Sequence, residues 1–171
     1  MTLLISESYR RLNAELHQNP DFGRGYHDRP NALRKLTAMM DTRDVLDYGC
    51  GKGMLKRACE PFIHVREYDP AIPGKDGMPE PADIVACFDV LEHVEPECLD
   101  AVLDHIQSLA RKAAIFVVHT GAAMKTLADG RNAHLTQEPP SWWLPKLDAR
   151  WRRLGFNEGK NGLSYVGVTI A

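Results

Sequence analysis

The sequence predicts an α/β protein of three layers: a mostly parallel sheet, helices on both of its faces, and a C-terminal hairpin. Three observations lead there. Short apolar runs alternate with stretches of helical periodicity, the pattern of strands joined by helical crossovers. The run AAIFVVH, 113–119, is apolar throughout, as a strand covered on both faces has to be. The last two runs, 156–160 and 164–170, flank Asn161-Gly162, a dipeptide that favours a tight hairpin turn.

With 171 residues, 44% of them apolar, the chain supports one hydrophobic core and reads as a single domain, 1–171. A formal charge of −2 sets up no general positive field, so attraction to duplex nucleic acid or to an anionic membrane surface is not expected. The start, MTLLISESYRR, has no basic region followed by a long apolar one, and no run approaches the roughly 20 apolar residues of a membrane span, so a cytoplasmic location is expected. Cys50, Cys59, Cys87 and Cys98 form no C-x-x-C pair and no Cys/His ligand spacing. They read as reduced thiols, and no metal ligands are assigned.

The elements follow in order. Tyr9, Leu12 and Leu16 recur at helical spacing, and Asp28 with Pro30 starts a second helix carrying Leu33, Leu36 and Met40. These two helices, 1–43, precede the first strand, 44–48. Met54, Leu55, Ala58 and Cys59 suit the buried side of a helix stopped by Pro61, and FIHVREY is the next strand, ending before Asp69. ADIVACFDV is a third strand; Pro96 then opens a helix with Leu99, Val102, Leu103, Ile106 and Leu109 in one stripe. After the strand at 113–119 and a polar segment, Trp143, Leu147, Trp151 and Leu154 predict a helix over 141–154 that stops at Gly155.

The segment DYGCGKG places Gly49, Gly51 and Gly53 where a strand turns into a helix. Glycine there permits positive φ and lets a ligand approach backbone N–H groups. The position that a dinucleotide fingerprint gives to its third glycine holds Met54, and no G-x-x-x-x-G-K-[ST] is present, so neither a nicotinamide site nor a P-loop is indicated. Asp69 lies 22 positions after Asp47 at a strand end, where a carboxylate accepts ribose hydroxyls. A ligand with a ribose fits this pattern.

VLDYGCGKG, REYDP and DIVACFDVLEHV occur in the order of the first, second and fourth motifs of class I S-adenosylmethionine-dependent methyltransferases, and the chain resembles that family over 45–119. The resemblance implies a Rossmann-like methyltransferase fold with an antiparallel last strand and S-adenosylmethionine as cofactor. It implies that Asp47 and the backbone of Tyr48, Gly49, Cys50 and Gly51 face the methionine part, with Gly53 completing the turn. It puts Asp69, followed by Pro70, at the ribose, and Phe88 and Asp89 at the end of the next strand, beside the reacting atoms. One departure stands out: only AIPGKDGMPEPA separates the ribose acid from the next strand, too little for a helix and a strand. The family's usual third strand and its preceding helix are therefore expected to be missing, with Asp76, Gly77 and Met78 standing in for the adenine-contacting segment.

The cofactor half is assigned to 44–119, and the acceptor side to 120–171. His119 ends a strand, and the polar segment after it offers Asp129, Arg131, Asn132 and His134 to hydroxyls or an anionic group, and Trp142 or Trp143 to a planar or sugar-like ring. His119 or His134 is the expected proton acceptor, with Asp89 orienting the nucleophile; His93 reads either as a base or as a residue that organises its loop. EPPSW resembles the motif of base-amino methyltransferases poorly, and there is no room for a target-recognition domain. NPDFGRGYHDRP, with His17 and Tyr26 nearby and glycines flanking Arg24, suits a lid. The function implied is methyl transfer to an oxygen or nitrogen nucleophile of a small polar acceptor, sugar-, nucleotide- or metabolite-like. The alternative is a silent module that binds the cofactor as the partner of another enzyme. Oligomeric state is not legible.

Overall fold

The computed structural model describes residues 3–19 and 29–170. Asp28, Arg24 and Tyr26, named above as a helix start and a lid, lie outside the described residues. Two helices come first, α1 (Glu7–Gln18) and α2 (Arg29–Met39). They are followed by β1 (Asp44–Tyr48), α3 (Met54–Cys59), β2 (His64–Tyr68), β3 (Ala82–Phe88), α4 (Leu99–Leu109), β4 (Ala110–His119), α5 (Pro140–Asp148), β5 (Trp151–Gly159) and β6 (Gly162–Thr169). The six strands form one sheet in the order β2-β1-β3-β4-β6-β5, in which only β6 runs against the others.

Period-2 alternation divides the strand side chains between two cores. Val45, Ile84, Ala86 and Ile115 face Leu33, Leu36, Leu55 and Cys59 of α2 and α3. Leu46, Val85, Cys87, Phe116 and Val118 face the α4 stripe and Trp143 and Leu147 of α5. Both faces of β3 and β4 are therefore dry, which accounts for their unbroken apolar runs.

Between β2 and β3 there is neither helix nor strand, as the short connection predicts, and β2 is an edge. The connection is pinned instead by side chains: Arg66 donates to the carbonyls of Glu80 and Pro81 at 3.1 and 2.9 Å.

Three boundaries differ from the sequence reading. Pro96 opens a turn rather than a helix, the Leu99 N–H bonding its carbonyl, and α4 begins at Leu99. The expected 141–154 helix ends at Asp148, and Trp151 begins β5. Trp151, Arg152 and Arg153 pair with Thr169, Val168 and Gly167, so satisfying the far edge of β6 overrides local helical periodicity. Trp151 stays buried as expected, its ring 4.9 Å from that of Phe116, whereas Leu154 falls at a register shift and is exposed. The hairpin turns one residue early: Gly159 and Gly162 are paired, leaving Lys160 and Asn161 as the loop. A Cβ on Gly162 would come within 2.8 Å of the Val118 carbonyl oxygen, so this glycine serves close packing on β4.

Candidate functional site

β2 and β3 lie on opposite sides of β1, which makes the carboxyl ends of β1 and β3 a topological switch point, where open α/β sheets leave a crevice. A cavity of about 670 Å³ opens there, roofed by α1 through Tyr9, Asn13 and His17.

One end of the cavity is the glycine turn. Gly49 and Cys50 donate to the Tyr68 carbonyl at 2.8 and 3.0 Å, and Gly49, Gly51 and Gly53 all have positive φ (77°, 50° and 74°). A Cβ on Gly49 would strike Val90 at 2.4 Å and one on Gly53 the Glu67 carboxylate at 2.1 Å, so these two glycines serve the turn's own packing. Gly51 borders the cavity; a Cβ there would meet only the His17 ring, at 3.4 Å. Asp69 lines the same space. Its Oδ2 accepts from the Gly51 N–H at 3.0 Å, its Oδ1 from the Ala71 N–H at 2.9 Å, and His17 Nε2 stands 4.0 Å away. Lys75 ties the turn down, donating to the Gly51 carbonyl and to Glu67 at 3.1 and 3.0 Å.

Asp47 lies beneath the turn, 1% exposed, with Oδ2 unpartnered among the described residues. Burial, reinforced by Glu67 and Asp69 and opposed by Lys75, pushes its carboxyl up to about 8. Tyr48, Pro70 and Phe88 line the cavity, and Cys50 is buried, its thiol pushed upward by burial. Asp76, Gly77 and Met78 do not line it: Asp76 accepts from the Gly74 N–H in an exposed turn and Met78 points to solvent, while Pro70 and Ala71 form the wall at that side.

The other end is built by the segment after β3, a 3-10 turn over Leu91–His93, and by 119–134. Asp89, at a φ of 53°, ion-pairs with Arg29, and its Oδ1 stands 3.5 Å from His119 Nε2. Glu92 is wholly buried. Its Oε1 accepts from the His119 N–H at 3.2 Å, its carbonyl accepts from the Thr136 N–H at 3.0 Å, and burial, with Asp89 adding to it, pushes its carboxyl up to about 8. His93 Nδ1 is 2.7 Å from the Ala133 carbonyl and His134 Nδ1 is 2.6 Å from that of Gly121. A carbonyl only accepts, so each Nδ1 carries a proton, and a neutral ring then has its lone pair on Nε2. Burial, then the neighbouring His134, pushes His93 down to about 4. The His134 ring centroid is 4.8 Å from that of His93 and 5.7 Å from that of His119.

Of the expected acceptor residues, His93, His119, His134 and Asp89 meet in this cavity, while Asp129, Arg131, Asn132 and Trp142 lie outside its lining. Asp129 and Arg131 pair with each other at the surface at 2.8 Å. The Asn132 side chain closes the 121–134 loop on itself, bonding Ala123 N–H, Ala123 carbonyl and His134 N–H, each at 2.9 Å. Trp142 packs edge-on against buried Trp143 and under Lys146.

Sequence reasoning missed two features. One is how the α1 roof is anchored, by Glu95 at the Ser6 N–H (2.8 Å) and hydroxyl (2.6 Å) and by the Tyr9 hydroxyl on the His93 carbonyl. Its signal was Ser6, a helix-capping residue, ahead of the Tyr9 stripe. The other is Glu92, read only as part of LEH; a carboxylate inside an otherwise apolar strand-end run was its signal.

A family model described as a methyltransferase domain matches residues 10–157. No curated protein sequence matches the chain. Among solved structures, it is similar to 1,6-didemethyltoxoflavin-N1-methyltransferase of Burkholderia thailandensis, bound to 1,6-didemethyltoxoflavin and S-adenosylhomocysteine (TM-score 0.68, 16% identity, covering 100% of this chain and 93% of that one). It is also similar to magnesium protoporphyrin IX methyltransferase of Synechocystis PCC 6803 with bound SAH (TM-score 0.62, 16% identity, 95% and 97% covered). A third is the N-methyltransferase NodS of Bradyrhizobium japonicum WM9 in complex with S-adenosyl-L-homocysteine (TM-score 0.63, 12% identity, 94% and 98% covered). At these identities the likeness is one of fold: the Rossmann-like sheet of class I methyltransferases, here without its usual third strand.

Proposed function

This chain belongs to the methyltransferase-domain family, and we propose that it moves a methyl group from S-adenosylmethionine to an oxygen or nitrogen of a small polar acceptor. The observation that carries the reading is one cavity joining a glycine turn and the buried Asp69 carboxylate to a cluster of three histidines. The cofactor end fits its ligand. Gly51 leaves room for close approach of the chain, Asp69 offers carboxylate oxygens to two hydroxyls, and the unpartnered Asp47 Oδ2 suits an ammonium group nearby.

Bound there, S-adenosylmethionine supplies an electrophilic methyl on a sulfonium. The chain's residues then hold an acceptor in line and take one proton. His119 is assigned that proton: its ring is half-exposed to the cavity, and Asp89 Oδ1, 3.5 Å from Nε2, stabilises the imidazolium that forms. Asp89 is in turn held by Arg29. His93 and His134, with fixed Nδ1 protons, line the acceptor's place. Neighbours of this fold that carry toxoflavin precursors and porphyrins in their names support a small-molecule acceptor. A cytoplasmic setting belongs to the same reading; no helix among the described residues is long and apolar enough to cross a membrane.

The test combines calorimetry with S-adenosylhomocysteine and a screen of hydroxyl- and amine-bearing small molecules for release of that product from S-adenosylmethionine. Micromolar or tighter binding and acceptor-dependent release are expected. Absence of binding sinks the reading; binding without turnover on any acceptor favours the silent module.

A further inference from the structure

We propose that Glu92, His93 and His134 form a binding site for a divalent first-row transition-metal ion at the acceptor end of the cavity. One donor atom from each of the three lies within 4.8 Å of the other two. Ligands about 2.0–2.2 Å from a common centre lie no more than about 4.4 Å apart, so the three groups need at most a few tenths of an ångström of closing around an ion.

Two features prepare these groups for a cation. Both imidazoles commit Nδ1–H to backbone carbonyls, His93 to Ala133 at 2.7 Å and His134 to Gly121 at 2.6 Å. Metal-ligating histidines are oriented in this way, because the carbonyl sets the tautomer and turns the Nε2 lone pair toward the ion. Glu92 supplies the second and independent observation. Its side chain is wholly buried, Oε1 is held by the His119 N–H, and Oε2 has no partner among the described residues. A buried carboxylate oxygen without a partner is strongly destabilising, and a cation beside it removes that deficit.

Asp89, Glu92 and His119 form a second group of the same spacing that shares Glu92. Arg29 already neutralises Asp89, so the ion belongs with the two histidines and leaves His119 free to accept a proton. Two imidazoles and one carboxylate, with no thiolate among them, match Zn²⁺, Co²⁺, Fe²⁺ or Mn²⁺ rather than soft Cu⁺. Three protein ligands leave coordination positions open. If the methyl-transfer reading holds, an ion held there would supply Lewis-acid polarisation to an acceptor hydroxyl, with His119 as the group that takes the proton. Binding of the ion does not itself depend on that reading.

The experiment titrates the chelator-treated full chain with Co²⁺ and reads visible ligand-field absorption, with Zn²⁺ as competitor. One equivalent is expected to give bands of a protein-bound site that Zn²⁺ abolishes. His134→Ala and Glu92→Gln should each weaken the affinity about tenfold or more, while His64→Ala, at an exposed strand end, binds as wild type. Circular dichroism checks folding; if Glu92→Gln does not fold, His134→Ala decides. Absence of bands in the wild type, or unchanged affinity in His134→Ala, overturns the site. Loss confined to His119→Ala overturns the choice of ligands. S-adenosylhomocysteine calorimetry on the metal-free chain separates the two readings, since cofactor binding without Co²⁺ bands refutes only the metal site, and the converse refutes only the methyltransferase reading.

Discussion

Asp69 reaches across the glycine turn to accept the Gly51 N–H at 3.0 Å, joining the end of β2 to the turn before α3 at a glycine that lines the cavity. The same carboxylate therefore shapes the turn and borders the ligand's place.

Gly51→Val should abolish S-adenosylhomocysteine binding, because φ is 50° there and the new side chain enters the cavity against His17. Asp69→Ala should weaken binding by roughly 1–3 kcal/mol, the penalty of ligand hydroxyls left unpaired. Calorimetry reads both, and wild-type affinity in the two variants would remove the site assignment.

Stability should fall with rising pH through the contribution of Asp47. Its carboxyl is raised from an ordinary 3.8 to about 8 by burial and then by Glu67 and Asp69, with Lys75 opposing. Between those values the folded chain keeps a proton that the unfolded chain releases, so this contribution is fully present below about pH 4 and is lost as pH rises toward 8. Asp47→Asn should flatten the slope, and denaturant melts of both proteins from pH 5 to about 8 measure it. Parallel slopes would argue that Asp47 is ionised in the fold.

Removing the proton acceptor should separate catalysis from binding. His119→Ala is expected to lower turnover about 100-fold or more while S-adenosylhomocysteine affinity stays near wild type. Once an acceptor is known, single-turnover kinetics decide; normal rates would leave positioning alone to account for catalysis.

The C-terminal strands should be intolerant of a single methyl group at Gly167. A Cβ there would sit 2.4 Å from the Trp151 Cβ and 2.8 Å from the Tyr165 ring, so Gly167→Ala should destabilise by about 1–3 kcal/mol. Urea melts would show this as a lower midpoint with an unchanged slope.

The sequence by itself determined the features that rest on local chemistry. Three glycines with positive φ mark the turn after β1, two-faced apolar runs mark β3 and β4, and twelve residues after Pro70 leave no space for another strand and helix. Asp47 and Asp69 were legible because their distances along the chain follow from strand and helix lengths. The tertiary structure alone decided whatever depends on partners distant in sequence. Trp151 had a helical period, yet pairing with Thr169 made it a strand, since the edge hydrogen bonds and the burial beside Phe116 outweigh a local preference. Asp76 and Met78 suited a ligand by spacing but came to rest in an exposed turn. Glu92 and His134 are forty-two positions apart, and no periodicity relates them. They meet because the Ala133 carbonyl ties the 121–134 loop to His93 of the Leu91–His93 turn while the Gly121 carbonyl orients His134 within the loop, contacts that exist only once the sheet has formed beneath them.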